Sequence, residues 1–221
     1  MLPDHIIIDF DSTFITSESL DELAINKFGN HPNGKKLLSK IQSLTNAGMN
    51  GDISFEESLE KRMRLLKINQ NDIELLIKKL SQSITPSFKK NKLFFAENYE
   101  RILVISGGFK EFIVPIVDKF GIIESNVFAN EFLYNLSGDI IGIDQKNVMS
   151  KNQGKVKQVE LLKLNGEIHV IGDGYTDYEI KLAGAATHFF AFKENIERKN
   201  VCELSDYISV SYTHLTLPTK A

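Results

Sequence analysis

A three-layer, Rossmann-like α/β sheet with an inserted helical cap is the fold this sequence predicts, and three observations predict it. From Arg101 onward, short apolar runs of strand length alternate with helical segments, the pattern of a mostly parallel sheet covered on both faces. An isolated strand, His5 to Phe10, precedes that alternation across a stretch that carries helical periodicity only. Carboxylates and glycine turns fall directly after predicted strands, where parallel sheets bind their ligands.

The elements follow in order. Three consecutive isoleucines within His5 to Phe10 are too brief a run for a helix and favour a buried strand. Leu20, Leu23, Ala24 and Phe28 recur at helical spacing, so a helix is expected over Glu18 to Phe28 with Ser17 as N-cap. Another is expected from about Lys35 to Leu44, ended by a turn at Gly48 to Asp52. Ser54 and Glu57 read as a capping box for a helix reaching Leu66. Further helices are expected over Asp72 to Leu80 and Pro86 to Glu97. Then come strand Ile102 to Ile105, helix Lys110 to Phe120, and a strand Val127 to Tyr134 paired with Ile140 to Ile143. Helix Lys155 to Leu164, strand Ile168 to Ile171, helix Tyr178 to Ala183 and strands Phe189 to Phe192 and Tyr207 to Val210 complete the alternation. A catalytic core over 1–15 and 88–210 with a helical cap over 16–87 is the organisation that results, leaving 211–221 as an unassigned tail that continues no pattern.

A chain of 221 residues is long enough for such a core and insert. The net charge of −3 offers no basic stripe for nucleic acid or an anionic membrane. One cysteine, Cys202, and an amino terminus without a signal-like apolar run suggest a cytoplasmic setting. Oligomeric state is not legible.

Asp9 and Asp11 sit at the end of the first strand, where period-two alternation would turn both to one side. Paired carboxylates there can hold a hard cation, and one can attack phosphorus while the other moves protons. Ser106-Gly107-Gly108 after the second strand reads either as an anion nest or as a plain capped turn. Asp173 and Asp177 follow the strand Ile168 to Ile171, a second place for a metal or simply a glycine turn with a capping carboxylate. Of three nearby lysines, Lys155 is selected because Val159 and Leu162, four and seven steps on, put the buried stripe away from it. Lys151 and Lys157 read as solvated charges. Each feature alone is weak, but all lie on one rim of one sheet.

Together the segments DFDSTFITSESLDELA, MNGDISFEESLEKRM, SGGF, GKVKQVELL and IGDGYTD resemble the phosphoserine phosphatases of the haloacid dehalogenase superfamily, in the same order from Ile6 to Ala183. The resemblance implies that Asp9 is the nucleophile and Asp11 the acid/base. It implies phosphate binding by Ser106, Gly107 and Lys155, and a magnesium site of Asp9, Asp11 and Asp173 supported by Asp177. Glu18 would bind the ammonium and Arg62 the carboxylate of phosphoserine, against an apolar wall of Met49 and Phe55, in a reaction serving serine biosynthesis. Tyr175 departs from the family, which has a small residue there. The competing expectations are a phosphatase or phosphotransferase of this fold for another small phosphomonoester, and a regulatory module without turnover.

Overall fold

The computed structural model describes residues 2–211; the expected tail lies, beyond Ser211, outside the described residues. Six parallel strands form the central sheet: β1 (His5–Ile8), β2 (Ile102–Phe109), β3 (Val127–Asn130), β6 (Ile168–Gly172), β7 (His188–Phe192) and β8 (Tyr207–Ser209), in the order β3-β2-β1-β6-β7-β8. β4 (Phe132–Tyr134) and β5 (Ile140–Ile143) make a separate antiparallel pair. β1 is buried on both faces, so its isoleucines alternate between two cores: Ile6 and Ile8 join one, Ile7 the other. Chain order reverses between β1 and β6, and the crevice at their carboxyl ends is the switch point at which such sheets bind ligands.

Between β1 and β2 the chain forms α1 (Ser19–Phe28), α2 (Gly34–Asn50), α3 (Phe55–Leu66), α4 (Gln70–Leu80), α5 (Pro86–Lys90) and α6 (Lys92–Glu97). It leaves and returns through adjacent segments: Ile15 pairs with Ile84, and Thr85 N donates to Phe14 O at 3.0 Å. Asn195 bolts this crossing, its amide donating to Thr85 Oγ1 at 2.7 Å and to the carbonyls of Ser12, Thr13 and Ile15 at 3.1 to 3.3 Å. Helices α7 (Lys110–Val117), α8 (Gly154–Leu162), α9 (Tyr175–Leu182) and α10 (Lys199–Leu204) connect the remaining strands. No helix among the described residues is long and apolar enough to cross a membrane.

The structure corrects several expected boundaries. β1 stops at Ile8, and Phe10–Phe14 is a tight π-type turn closed by Ile15 N donating to Phe10 O at 3.0 Å. Asp9 and Asp11 are therefore presented by a kinked turn, with Ser12 at φ 53, and not by strand alternation. Ser17 does not cap α1; the Asp11 carboxylate does, accepting from Ser19 N at 2.9 Å. The expected turn at Gly48 is helical, because the left-handed residue that ends α2 is Gly51 at φ 81. The expected helix Pro86 to Glu97 breaks at Asn91, whose side chain donates back to Ser87 O at 2.7 Å. Val127 to Tyr134 divides into β3 and β4, as Phe132 N turns to the Glu111 carboxylate at 2.7 Å. Ser106 to Phe109 remains in β2, and α9 starts at Tyr175, earlier than expected, so Asp177 lies in its first turn.

Candidate active site

One cavity at the carboxyl edge of the sheet is lined by Asp9, Asp11, Glu18, Met49, Phe55, Arg62, Ser106, Gly107 and Lys155, together with Leu20 and Thr176. Every residue selected from the sequence lines it except Asp173 and Asp177, which stand beneath it against Asp9. Helical insert and sheet therefore share one enclosure. Gly107 is one close contact between them: a Cβ there would lie 2.6 Å from the Phe55 ring, so only glycine lets this aromatic close over the sheet edge.

Lys155, in the first turn of α8, is 7% exposed and bridges Asp9 Oδ1 at 2.8 Å and Asp177 Oδ1 at 2.7 Å. Burial alone would lower its pKa, but Asp177 and Asp9 outweigh that and hold the ammonium charged. Lys151 instead pairs with Glu56 at 3.0 Å, and Lys157 donates to Asn152 O at 2.9 Å. Carboxylate oxygens of Asp9, Asp173 and Asp177 lie within 4.8 Å of one another, all buried. Asp11 stands outside this group. Both of its oxygens are taken by Ser19, from N at 2.9 Å and Oγ at 3.0 Å, because it doubles as the cap of α1.

The acid/base candidate is consequently tuned by its surroundings. Burial, then the Asp9 charge, pushes the Asp11 carboxyl up to about 7, against the lowering effect of the Ser19 bonds and Arg62. Burial and Asp9 raise Asp177 to about 8; burial, Glu18 and Asp9 raise Asp173 to about 7. Burial and Asp11 raise Glu18 to about 8. Five carboxylates thus crowd a region whose cations are Lys155, Arg62 and Arg198. Hard oxygen donors with uncompensated negative charge fit a small divalent cation such as magnesium.

Sequence reasoning missed Arg198 altogether. It lies in the loop after β7, side chain 8% exposed, with Nε donating to Asp173 Oδ2 at 2.9 Å and a terminal nitrogen 3.4 Å from Glu18 Oε1. Thr13 holds the other oxygen of Asp173 at 3.2 Å, and Ser12 Oγ donates to Glu18 Oε1 at 2.7 Å. No spacing in the sequence signals the partners of Arg198, which the chain beyond β7 brings to the end of β6. Arg62 is 5% exposed, with weak bonds at 3.4 Å to Ser58 O and Thr45 Oγ1 and no ion pair among the described residues. A buried guanidinium so lightly held is suited to bind a carboxylate. Tyr175 is not among the residues lining this cavity, and its ring lies 5.8 Å from that of Tyr178, tilted by 55°.

A scan against protein-family models gives no match. Curated proteins do match: the chloroplastic phosphoserine phosphatase of Arabidopsis thaliana is 30% identical over 213 residues, covering 95% of this chain and 70% of that protein. The phosphoserine phosphatase of Methanocaldococcus jannaschii is 29% identical, covering 92% of this chain and 96% of its own. Among solved structures, a phosphoserine phosphohydrolase-like protein from Francisella tularensis aligns with a TM-score of 0.85 at 34% identity, over 96% of this chain and 97% of that one. A phospho-aspartyl intermediate analogue of phosphoserine phosphatase aligns with a TM-score of 0.74 at 25% identity, over 96% of this chain and 95% of that one. Sequence and fold agree over sheet and helices alike, and the chain belongs to the phosphoserine phosphatase family.

Proposed function

We propose that this enzyme hydrolyses O-phospho-L-serine to serine and phosphate through a phosphoryl group carried on Asp9, with magnesium as cofactor, in serine biosynthesis. The observation that carries the reading is a single cavity with a phosphoryl end, Asp9, Ser106 and Lys155, and an amino-acid end, Glu18 and Arg62. In this reading helices α1 to α4 are a cap over the core, and their closure excludes water while the phosphoryl group is transferred.

Asp9 attacks phosphorus in line as the bond from phosphorus to the seryl oxygen breaks, and Asp11 gives its proton to the leaving alkoxide. A carboxyl held up at about 7 is partly protonated at neutral pH, as that step needs. Its carboxylate then takes a proton from the water that attacks phosphorus, releasing phosphate and restoring Asp9. Lys155, fixed 2.8 Å from Asp9 Oδ1, stands beside the equatorial oxygens. Ser106 Oγ accepts from Gly108 N at 3.0 Å, leaving its proton for a phosphoryl oxygen. Asn130 orients the Gly107 peptide by donating to its carbonyl at 2.8 Å. Asp9, Asp173 and Asp177 would hold the magnesium ion, which when bound supplies charge neutralisation at the phosphoryl oxygens.

Glu18, already held by Ser12 and Arg198, receives the substrate ammonium, and Arg62, whose own bonds are long, gains an ion pair with the carboxylate. The test is phosphate release from a panel of small phosphomonoesters with magnesium and with chelator. Strong, magnesium-dependent preference for phosphoserine is expected. Equal rates on all esters would refute the substrate, and full activity in chelator would refute the metal.

A further inference from the structure

At the opposite end of the sheet from the cavity, two histidines meet across adjacent parallel strands. His169, second residue of β6, and His188, first residue of β7, are direct partners in the strand register. Their side chains consequently stand on the same face, with ring centroids 5.1 Å apart and planes at 83°. Glu167 precedes His169 by two residues, so the pleat brings its carboxylate to that face too. Its Oε1 is 2.8 Å from His169 Nε2 and 3.8 Å from His188 Nδ1. One ligand atom from each of the three lies within 4.8 Å of the others.

We infer that Glu167, His169 and His188 form a binding site for one borderline divalent metal ion of the zinc type, separate from the hydrolytic centre. Two imidazoles and a carboxylate are a known three-ligand set for zinc, with the fourth tetrahedral position left to water. Imidazole donors discriminate against magnesium, which seeks oxygen, whereas the buried aspartates of the cavity favour it. The two sites therefore differ in the metal they select.

The rings are held before any ion arrives. His169 packs at 5.0 Å from the Phe190 ring and His188 at 5.8 Å from Tyr207, which itself stacks on Phe190 at 4.9 Å. Glu167 is fixed through its backbone, N donating to Asp4 Oδ2 at 2.8 Å and O accepting from His5 N at 3.0 Å. The side chains of Glu167 and His188 are 49% and 36% exposed, which gives an ion and a completing water access.

The full chain, saturated with magnesium to occupy the cavity, is titrated with zinc by calorimetry, and separately with cobalt while visible absorption is followed. Wild type and Asp173→Asn should each bind about one equivalent of zinc and show the absorption of four-coordinate cobalt. His188→Gln and His169→Gln should bind at least ~10-fold more weakly and lose that absorption, since loss even of supporting groups costs 10- to 100-fold. Glu167→Gln, at an exposed position, should also weaken binding and guards against a folding defect in the histidine variants. Zinc binding unchanged by His188→Gln and His169→Gln, or zinc binding abolished by Asp173→Asn, would overturn the assignment, as would no binding by wild type.

Discussion

Replacing Arg198 by methionine keeps most of the side-chain volume and removes the positive charge that faces Asp173 and Glu18. The lost contact that matters is Nε to Asp173 Oδ2 at 2.9 Å, since the 3.4 Å approach to Glu18 is long. A hydrogen bond to a charged group contributes about 1.5–3 kcal/mol, and stranding a buried charge raises the cost toward 3–5 kcal/mol. The two carboxyls already sit at about 7 and about 8, so they can escape part of that cost by protonation. Destabilisation by about 3 kcal/mol is expected at pH 8 without metal, and less at pH 6. At 2–4 °C per kcal/mol for a chain of this size, the melting temperature should fall by ~6–12 °C at pH 8. Magnesium should recover much of it by supplying the missing positive charge. Thermal melts of wild type and Arg198→Met at both pH values, with and without magnesium, measure this. A loss below ~2 °C at pH 8, or one equal at both pH values and indifferent to magnesium, would refute the electrostatic role.

Three further outcomes are expected. Lys155→Ala should lower kcat by ~10²–10³ while Lys151→Ala and Lys157→Ala remain near wild type, because only Lys155 reaches Asp9; steady-state kinetics with phosphoserine decides it. Arg62→Ala should narrow the preference for phosphoserine over phosphoethanolamine, and Glu18→Ala that over 3-phosphoglycerate, each by ~5- to 150-fold, the equivalent of about 1–3 kcal/mol for an unpaired buried group; kcat/KM for the three esters measures it. Asp11, Asp173, Asp177 and Glu18 all have folded pKa values raised above the unfolded ones. The metal-free folded state then binds more protons than the unfolded chain, and its stability should decline as pH rises from about 6 to 8; magnesium should flatten that slope in a pH series of thermal melts.

Much of this architecture could be read in advance because its inner strands carry their own signal. Ile6 to Ile8 and Ile102 to Ile105 are continuous apolar runs, as strands buried on both faces must be, and Ile168 to Ile171 is broken only by the partly exposed His169. Lys155 is singled out in the sequence for a helical reason that the structure reverses: Val159, four residues on, shares its face, and Lys155 is itself buried on that side in the first turn of α8. What could not be read depends on contacts between distant segments. Nothing local shows that Ser19 donates to both oxygens of Asp11. Arg198 and Asn195 follow the last recognisable motif, and their partners lie between 25 and 183 residues away in sequence. The length of α2 was misjudged because Gly48 lies within the helix while Gly51 ends it.

In the proposed mechanism the phosphoryl group passes through Asp9, whose carboxylate is held 2.8 Å from Lys155 just past the end of β1. Acid quenching during turnover of phosphoserine, followed by borohydride reduction, converts an acyl-phosphate to homoserine at the residue that carried it. Peptide mass analysis should find that conversion at Asp9 only, dependent on substrate and absent from Asp9→Asn. Reduction at another carboxylate, or an active enzyme with no reduced residue across the quench times, would contradict the account.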